Sequence, residues 1–384
     1  MSGLLKVMTI VGTRPEIIRL ASVMSALDRF TNQVIVHTGQ NYDFELNQVF
    51  FNELSVREPD HYLGVDTSSL GKTLGDILIK TEEVLLKEKP DAVLVLGDTN
   101  SAISLVMAKR MKIPTYHMEA GNRSFDPNVP EESNRKLIDH TADFNLVYTE
   151  HARRHLLSEG IPHRFVYLTG SPMREVLESK ISEIKNSNIL QQLNVEKGKY
   201  FIVSIHREEN VDSQKNIEIV IQCLKELYTK YKYPVIVSTH PRTKKRLEVI
   251  SPDMAGYDIR FLKPFGFFDY NKLQLESFCA ISDSGTISEE SAILDFPAVT
   301  LRNSIERPEA LDAGSIMITG LSQKVLLDAI DVVVSEKGEF LEREIPIEYQ
   351  IKNTSLRVLK IIMGTAGLAN RWKNMESFSR YDWE

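Results

Sequence analysis

The chain has 384 residues, 42% hydrophobic and 26% charged, which excludes a disordered or fibrous protein and predicts two domains rather than one core. Its 46 basic and 53 acidic residues leave a net charge of −7, so there is no broad basic field for nucleic acid. Cys223 and Cys279 have no pairing or metal spacing, no apolar run reaches the roughly 18 residues of a membrane span, and the start of the chain lacks a basic, cleavable leader; a cytoplasmic protein with no membrane association is expected.

Residues 5–11 read as a buried strand that ends at Gly12-Thr13-Arg14-Pro15-Glu16. Ile17, Ile18, Leu20, Ala21, Met24 and Leu27 then recur at helical spacing, and Pro15 suits the first helical turn, where its missing N–H costs nothing. A second strand at 34–37 leads into Thr38-Gly39-Gln40-Asn41-Tyr42. Helical patterns over 43–54 and 70–88 precede a strand at 92–96, which ends at Gly97-Asp98-Thr99-Asn100. A helix to about Met111, a strand at 113–118 and the turn Glu119-Ala120-Gly121-Asn122-Arg123 follow. Pro130-Glu131-Glu132 opens another helix, and short strands near 145–148 and 165–168 complete a strand–helix alternation that predicts a doubly wound parallel sheet.

After Gly170 the pattern restarts. Strands at 200–205, 235–238 and 259–262 end at His206-Arg207, Thr239-His240-Pro241 and Lys263-Pro264-Phe265. Another, at 279–282, ends at Asp283-Ser284-Gly285-Thr286 before a helical segment, and 298–301 follows. A second α/β domain of the same design is expected, with a charged tail of helical pattern over 351–384.

In open parallel sheets, ligands bind beyond the carboxyl ends of the strands. Arg14, Asp98, Glu119, His206, His240 and Ser284 all fall there, which predicts an active site between two domains. The Asp283–Thr286 turn presents N–H groups and hydroxyls at a helix start, suited to phosphate, with Glu289 and Glu290 one turn later for a ribose diol. The same turn also reads as an ordinary capped helix, because Asp and Ser are N-cap residues. Arg14 opposes the dipole of its own helix unless an anion lies between them. Asp98 reads equally as an N-cap. The histidine turns have no metal-ligand spacing, and no Walker A or Gly-x-Ser-x-Gly sequence occurs, so neither a metal nor a dinucleotide cofactor is expected.

Taken in order, Gly12-Thr13-Arg14-Pro15-Glu16, Gly97-Asp98-Thr99, Glu119-Ala120-Gly121-Asn122-Arg123, Pro130-Glu131-Glu132 with Asn134-Arg135, His206-Arg207-Glu208 with Asn210, Asp283-Ser284-Gly285 with Glu289-Glu290, and Glu306-Arg307-Pro308-Glu309 carry a resemblance. Over about residues 5–330 the chain resembles the non-hydrolysing UDP-N-acetylglucosamine 2-epimerase family. The resemblance implies a GT-B fold, two Rossmann-like doubly wound domains facing a cleft. The first covers residues 1–171 and the second 172–359, with the last helix, about 360–384, returning to the first. It also implies a homodimer, a UDP-activated amino sugar as substrate, and no cofactor. The implied reaction is loss of UDP from C1 with removal of the C2 proton, then re-addition after protonation on the opposite face. Arg14, His206, Ser284 and Gly285 are expected to hold the diphosphate and Glu290 the ribose. Arg19, Arg135, Arg207, His240, Phe265, Thr286 and Arg307 complete the substrate-binding set. Asp98, Glu119 and Glu131, with His206, are the catalytic candidates; which carboxylate deprotonates stays open.

Three departures narrow the resemblance. Arg19 stands where many members carry Lys, Gln40-Asn41 replaces Gln-His, and Asn122-Arg123-Ser124-Phe125-Asp126 replaces the usual turn. These details are similar to the branch that makes UDP-N-acetyl-L-fucosamine from UDP-2-acetamido-2,6-dideoxy-L-talose for capsule or O-antigen assembly. The alternatives are epimerisation of UDP-N-acetylglucosamine, a GT-B glycosyltransferase, and a nucleotide-sugar-binding module without chemistry.

Overall fold

Runs of Val, Ile and Leu flanked by helices place a parallel sheet at the centre of each half of the chain. A computed structural model describes residues 3–39, 44–339 and 344–373 and divides into two units, one reaching Glu178 and resuming at Ile351, the other spanning Ser179–Gln350. The Gln40-Asn41 turn lies outside the described residues. No helix among the described residues is long and apolar enough to cross a membrane.

The first unit contains β1 (Lys6–Val11), β2 (Asn32–His37), β3 (His61–Tyr62), β4 (Ala92–Leu96), β5 (Thr115–Met118), β6 (Phe144–Val147) and β7 (Val166–Leu168). All pair in parallel, in the order β3-β2-β1-β4-β5-β6-β7. Every residue of β4 is buried, as a central parallel strand covered on both faces requires. Each Val or Leu so enclosed contributes about 1.5–3 kcal/mol. The strand order reverses between β1 and β4, and their carboxyl ends mark the switch point at which open sheets take their ligands. The helix Arg14–Phe30 leaves β1 after an extended Thr13, has Pro15 in its first turn, and buries Ile17, Leu20, Met24 and Leu27 along one face.

The second unit contains β8 (Phe201–Ser204), β9 (Val235–Ser238), β10 (Ile259–Leu262), β11 (Cys279–Ser282), β12 (Ala298–Thr300) and β13 (Met317–Ile318), parallel in the order β10-β9-β8-β11-β12-β13. Here the reversal lies between β8 and β11, so the His206 and Asp283 turns adjoin. The two-residue strands β3 and β13 are too short to leave a period-2 pattern in the sequence.

The division differs from the sequence expectation of 1–171, 172–359 and a returning helix from about 360. The helix Met173–Ser179 stays with the first unit up to Glu178, and the chain resumes there at Ile351. Glu175 explains both shifts: its carboxylate accepts from the backbone N–H of Ser355 at 2.9 Å and from the Ser355 hydroxyl. Thr354 adds bonds from its hydroxyl to the carbonyls of Thr169 and Ser171, at 3.2 and 3.1 Å. The helix Thr354–Thr365 then packs on Arg14–Phe30, and Thr365 meets the Tyr116 hydroxyl at 2.7 Å.

At the switch point of the first unit, Glu16 ties two turns together. It is 1% exposed and accepts from the Gly12 N–H at 2.9 Å, the Thr13 hydroxyl at 2.8 Å and the Thr99 hydroxyl at 2.8 Å. Burial pushes its carboxyl up to about 7, against the lowering effect of those donors. A raised carboxyl binds its proton more tightly in the fold than in the unfolded chain. Its contribution is therefore full below the unfolded value of 4.5 and is lost as pH rises through about 7. The shift corresponds to about 3 kcal/mol across that window. Glu16→Gln is accordingly expected to gain in melting temperature over the parent between pH 5 and pH 8, by on the order of 5 °C, in paired thermal melts. A difference that does not change with pH would contradict the raised carboxyl.

Candidate active site

The first unit gathers carboxylates and arginines beyond β1, β4 and β5. Arg14, half-buried at the start of its helix, lies with its guanidinium carbon 5.7 Å from the Phe50 ring centre. Arg19, just over one turn later, points inward and is paired with Glu119, both side chains being 9% exposed. Glu119 is held at φ +64°, a left-handed conformation uncommon for a residue with a side chain, immediately after β5. Asn122 donates its amide to the other Glu119 oxygen at 3.4 Å.

Asp98 follows Gly97 at the end of β4 and meets Arg135 at 2.5 Å. It does not cap the helix that follows: the Thr99 side chain does, accepting from the Ser101 N–H at 3.2 Å. The helix Pro130–Thr141 carries both Glu131 and Glu132 in its first turn, but they are not equivalent. Glu132 is buried, accepts from the Ser124 N–H and hydroxyl at 3.0 and 3.1 Å, and pairs with Arg135 at 3.1 Å. Glu131 is half-exposed and has no hydrogen-bond or ion-pair partner among the described residues. Of the three candidate carboxylates, Asp98 and Glu119 are balanced by arginines and Glu131 is not.

The second unit builds a different kind of site. Asp283 is fully buried after β11 and accepts from the His206 N–H at 3.1 Å, the Arg207 N–H at 2.9 Å and the Asn210 amide at 3.0 Å. The His206 ring is 3.1 Å from the same carboxylate. Burial alone would raise this carboxyl, but the His206 charge and the hydrogen bonds outweigh it and hold it at about 2. A fixed negative charge thus welds the two turns at the sheet's switch point. It also means that Asp283 does not cap the next helix.

The helix Ile287–Leu294 has no side-chain cap at its amino end. The Ser284 and Thr286 hydroxyls lie 3.0 Å apart over that end. A Cβ placed on Gly285 would lie 3.7 Å from Arg207 Nη2 and 3.9 Å from Arg307 Nε, so two guanidinium groups flank the turn. Two hydroxyls and two guanidinium groups around a bare glycine at a helix start are a setting suited to an anion. Glu289 and Glu290 separate as clearly as the first-unit pair. Glu289 is enclosed and paired with Arg307, whereas Glu290 is 8% exposed and takes the Gln274 amide at 2.8 Å. His240 stands at the end of β9 with its ring centre 6.0 Å from that of His206. Phe265, half-buried after β10, packs against the core beneath the sheet.

The expected residues therefore fall into two sets. Arg14, Arg19, Asp98, Glu119, Glu131 and Arg135 belong to the first unit; His206, Arg207, His240, Phe265, Ser284, Gly285, Thr286, Glu290 and Arg307 belong to the second. Sequence reading missed His117, Asp139 and Gln274, which help to hold these in place, and named Glu16 and Asp283 only as members of turns, without their structural roles. The signal at His117 is a polar residue within the buried strand β5.

Residues 25–363 match the family described as UDP-N-acetylglucosamine 2-epimerase. The solved UDP-N-acetylglucosamine 2-epimerase of Rickettsia bellii superposes with a TM-score of 0.89 at 45% identity, covering 96% of this chain and 98% of that one. The Methanocaldococcus jannaschii UDP-GlcNAc 2-epimerase, solved in complex with UDP-GlcNAc and UDP, gives 0.87 at 33% identity, over 94% and 100%. A Pseudomonas aeruginosa UDP-2,3-diacetamido-2,3-dideoxy-D-glucuronate 2-epimerase is 29% identical over 85% of this chain and 91% of its own length. The two Rossmann-like domains are the GT-B class that the sequence predicts. On this match, and on the residues set out above, the chain belongs to the UDP-N-acetylglucosamine 2-epimerase family.

Proposed function

We propose that the protein epimerises C2 of a UDP-activated 2-acetamido sugar, with UDP-2-acetamido-2,6-dideoxy-L-talose as its substrate and UDP-N-acetyl-L-fucosamine as product. The observation that carries the chemistry is the sorting of carboxylates in the first unit: Asp98 and Glu119 are charge-balanced by Arg135 and Arg19, while Glu131 has no partner among the described residues. C2 of such a sugar adjoins no carbonyl, so direct deprotonation is unfavourable. In the elimination, a carboxylate takes the C2 proton, the C1–O bond breaks with its electron pair leaving on UDP, and a C1=C2 double bond forms. A second acid then protonates C2 from the opposite face while a UDP oxygen re-forms the bond to C1.

The second unit supplies the hold on UDP that this route requires. The diphosphate suits the Ser284-Gly285-Thr286 turn, with Arg207 and Arg307 stabilising the charge that UDP gains on leaving. Glu290, oriented by Gln274, suits the ribose diol.

The 6-deoxy-L substrate rests on the turn after Glu119. Arg123 is fully buried, and Phe125, at φ +54°, is 70% exposed with its ring edge-on to His155. A turn anchored by an internal arginine and showing an aromatic face suits a sugar that has a methyl group in place of a hydroxymethyl. The second reading is epimerisation of UDP-N-acetylglucosamine to UDP-N-acetylmannosamine, favoured by the activities named for the relatives. A homodimer serving capsule or O-antigen assembly is part of the proposal.

Incubation of each nucleotide sugar in deuterated water, followed by NMR of C2, tests both substrates. The proposal expects inversion with deuterium entering C2 of the 6-deoxy sugar. Turnover of UDP-N-acetylglucosamine alone would decide for the second reading, and UDP release only on adding an acceptor, without deuterium at C2, would contradict an epimerase. Asp98→Asn and Glu131→Gln are each expected to lower turnover by about 10²–10⁴-fold. UDP affinity by calorimetry should stay within a few-fold of the parent. Full activity in both variants would remove the acid–base assignment.

A further inference from the structure

Behind the first-unit carboxylates lies a buried group that the proposed chemistry does not use. His117, in β5, is 1% exposed, and both of its ring nitrogens face oxygen acceptors. Nε2 lies 2.8 Å from the Gly97 carbonyl, which can only accept, and Nδ1 lies 2.8 Å from an Asp139 carboxylate oxygen. Asp139, also 1% exposed, receives the Gly121 N–H at 3.2 Å and Arg123 Nη1 at 2.7 Å. Arg123 in turn is clasped by Glu159 at 2.7 and 2.8 Å.

The two ends of this chain touch the two turns that matter. Gly97 precedes Asp98, and Gly121 lies two residues after Glu119. Gly121 has φ +79°, and a Cβ there would lie 2.4 Å from the Ala152 carbonyl oxygen, so its backbone is wedged as well as bonded. Asn134 donates its amide to the Asp98 carbonyl at 2.9 Å. Both carbonyls that flank the Asp98 side chain are therefore pinned, one by His117 and one by Asn134. A buried imidazole is not needed to stabilise a strand, where an apolar residue would serve better.

We infer that His117 is a positioning residue for the epimerase reaction, fixing the Gly97–Asp98 turn against the Glu119–Gly121 turn through the Gly97 carbonyl. The inference rests on the function proposed above. A carboxylate that moves a proton to or from C2 must hold its place within a few tenths of an ångström, and losses of alignment appear in turnover rather than binding. His117 touches no substrate in this account and acts through the backbone of Asp98.

Two substitutions separate this role from a generic structural one. In His117→Gln the amide N–H falls near the Nε2 position and keeps the donor to Gly97. In His117→Asn it falls near Nδ1 and keeps only the donor to Asp139. Both should lower the melting temperature similarly. Measured by deuterium entry at C2, His117→Asn should lose about 10–100-fold in kcat with KM within about twofold, and His117→Gln should stay within about threefold of the parent. Equal kcat in the two variants, or a loss confined to KM, would overturn the inference. Asn134→Ala, at a half-buried helix position, provides an independent arm; it should lose about tenfold in kcat at constant KM, and unchanged kcat would likewise overturn it. A parent protein that exchanges neither sugar at C2 would overturn the proposed function and this inference together. Exchange by the parent with indifferent variants would overturn the inference alone.

Discussion

A carboxylate taken out of water must be met by a cation or by N–H and O–H donors, or it must take up a proton. That requirement organises both halves of this protein, because the parallel sheets bring acidic residues to the strand ends and the flanking helices cover them. Each acid resolves it differently, and the resolution predicts its job. Asp283 is met by backbone N–H groups, an amide and an imidazole, and becomes a fixed strut. Asp98 and Glu119 are met by arginines, Arg135 and Arg19. Glu16 meets only neutral donors in its hydrogen bonds and is poised to carry a proton near neutrality.

The same requirement explains why adjacent glutamates do not share a role. Glu131 with Glu132, and Glu289 with Glu290, are consecutive on helices, so their side chains point about 100° apart. One of each pair faces inward and is consumed by structure: Glu132 by Ser124 and Arg135, Glu289 by Arg307. The other differs in each pair: Glu131 is half-exposed, and Glu290 takes the Gln274 amide. The two units also differ electrostatically: the second gathers guanidinium groups and hydroxyls around Gly285, and the first gathers carboxylates.

The alternation of buried runs and helical patterns made both sheets legible before any coordinates, because parallel strands covered on both faces are near-continuous in apolar residues. The candidate-site turns were legible because each follows such a run. Orientation was not. Nothing in Asp98-Thr99 says which residue caps the helix, and nothing in Glu131-Glu132 says which faces outward, since both depend on where Ser101, Ser124 and Arg135 come to lie. Long-range partners were equally hidden: Glu175 reaches Ser355 across 180 residues, which moves the domain boundary. His117 and Asp139 are 22 residues apart and read separately as an interruption in a strand and a helix-end acid.

The central claim is that C2 inverts because UDP leaves C1 and returns. It is tested most directly with the nucleotide sugar labelled by 18O in the oxygen that bridges C1 and the β-phosphate. If UDP departs, its β-phosphate rotates before re-addition, and the label must spread into the non-bridging positions at a rate comparable to epimerisation. Inversion at C2 with the label retained wholly in the bridge would contradict the account.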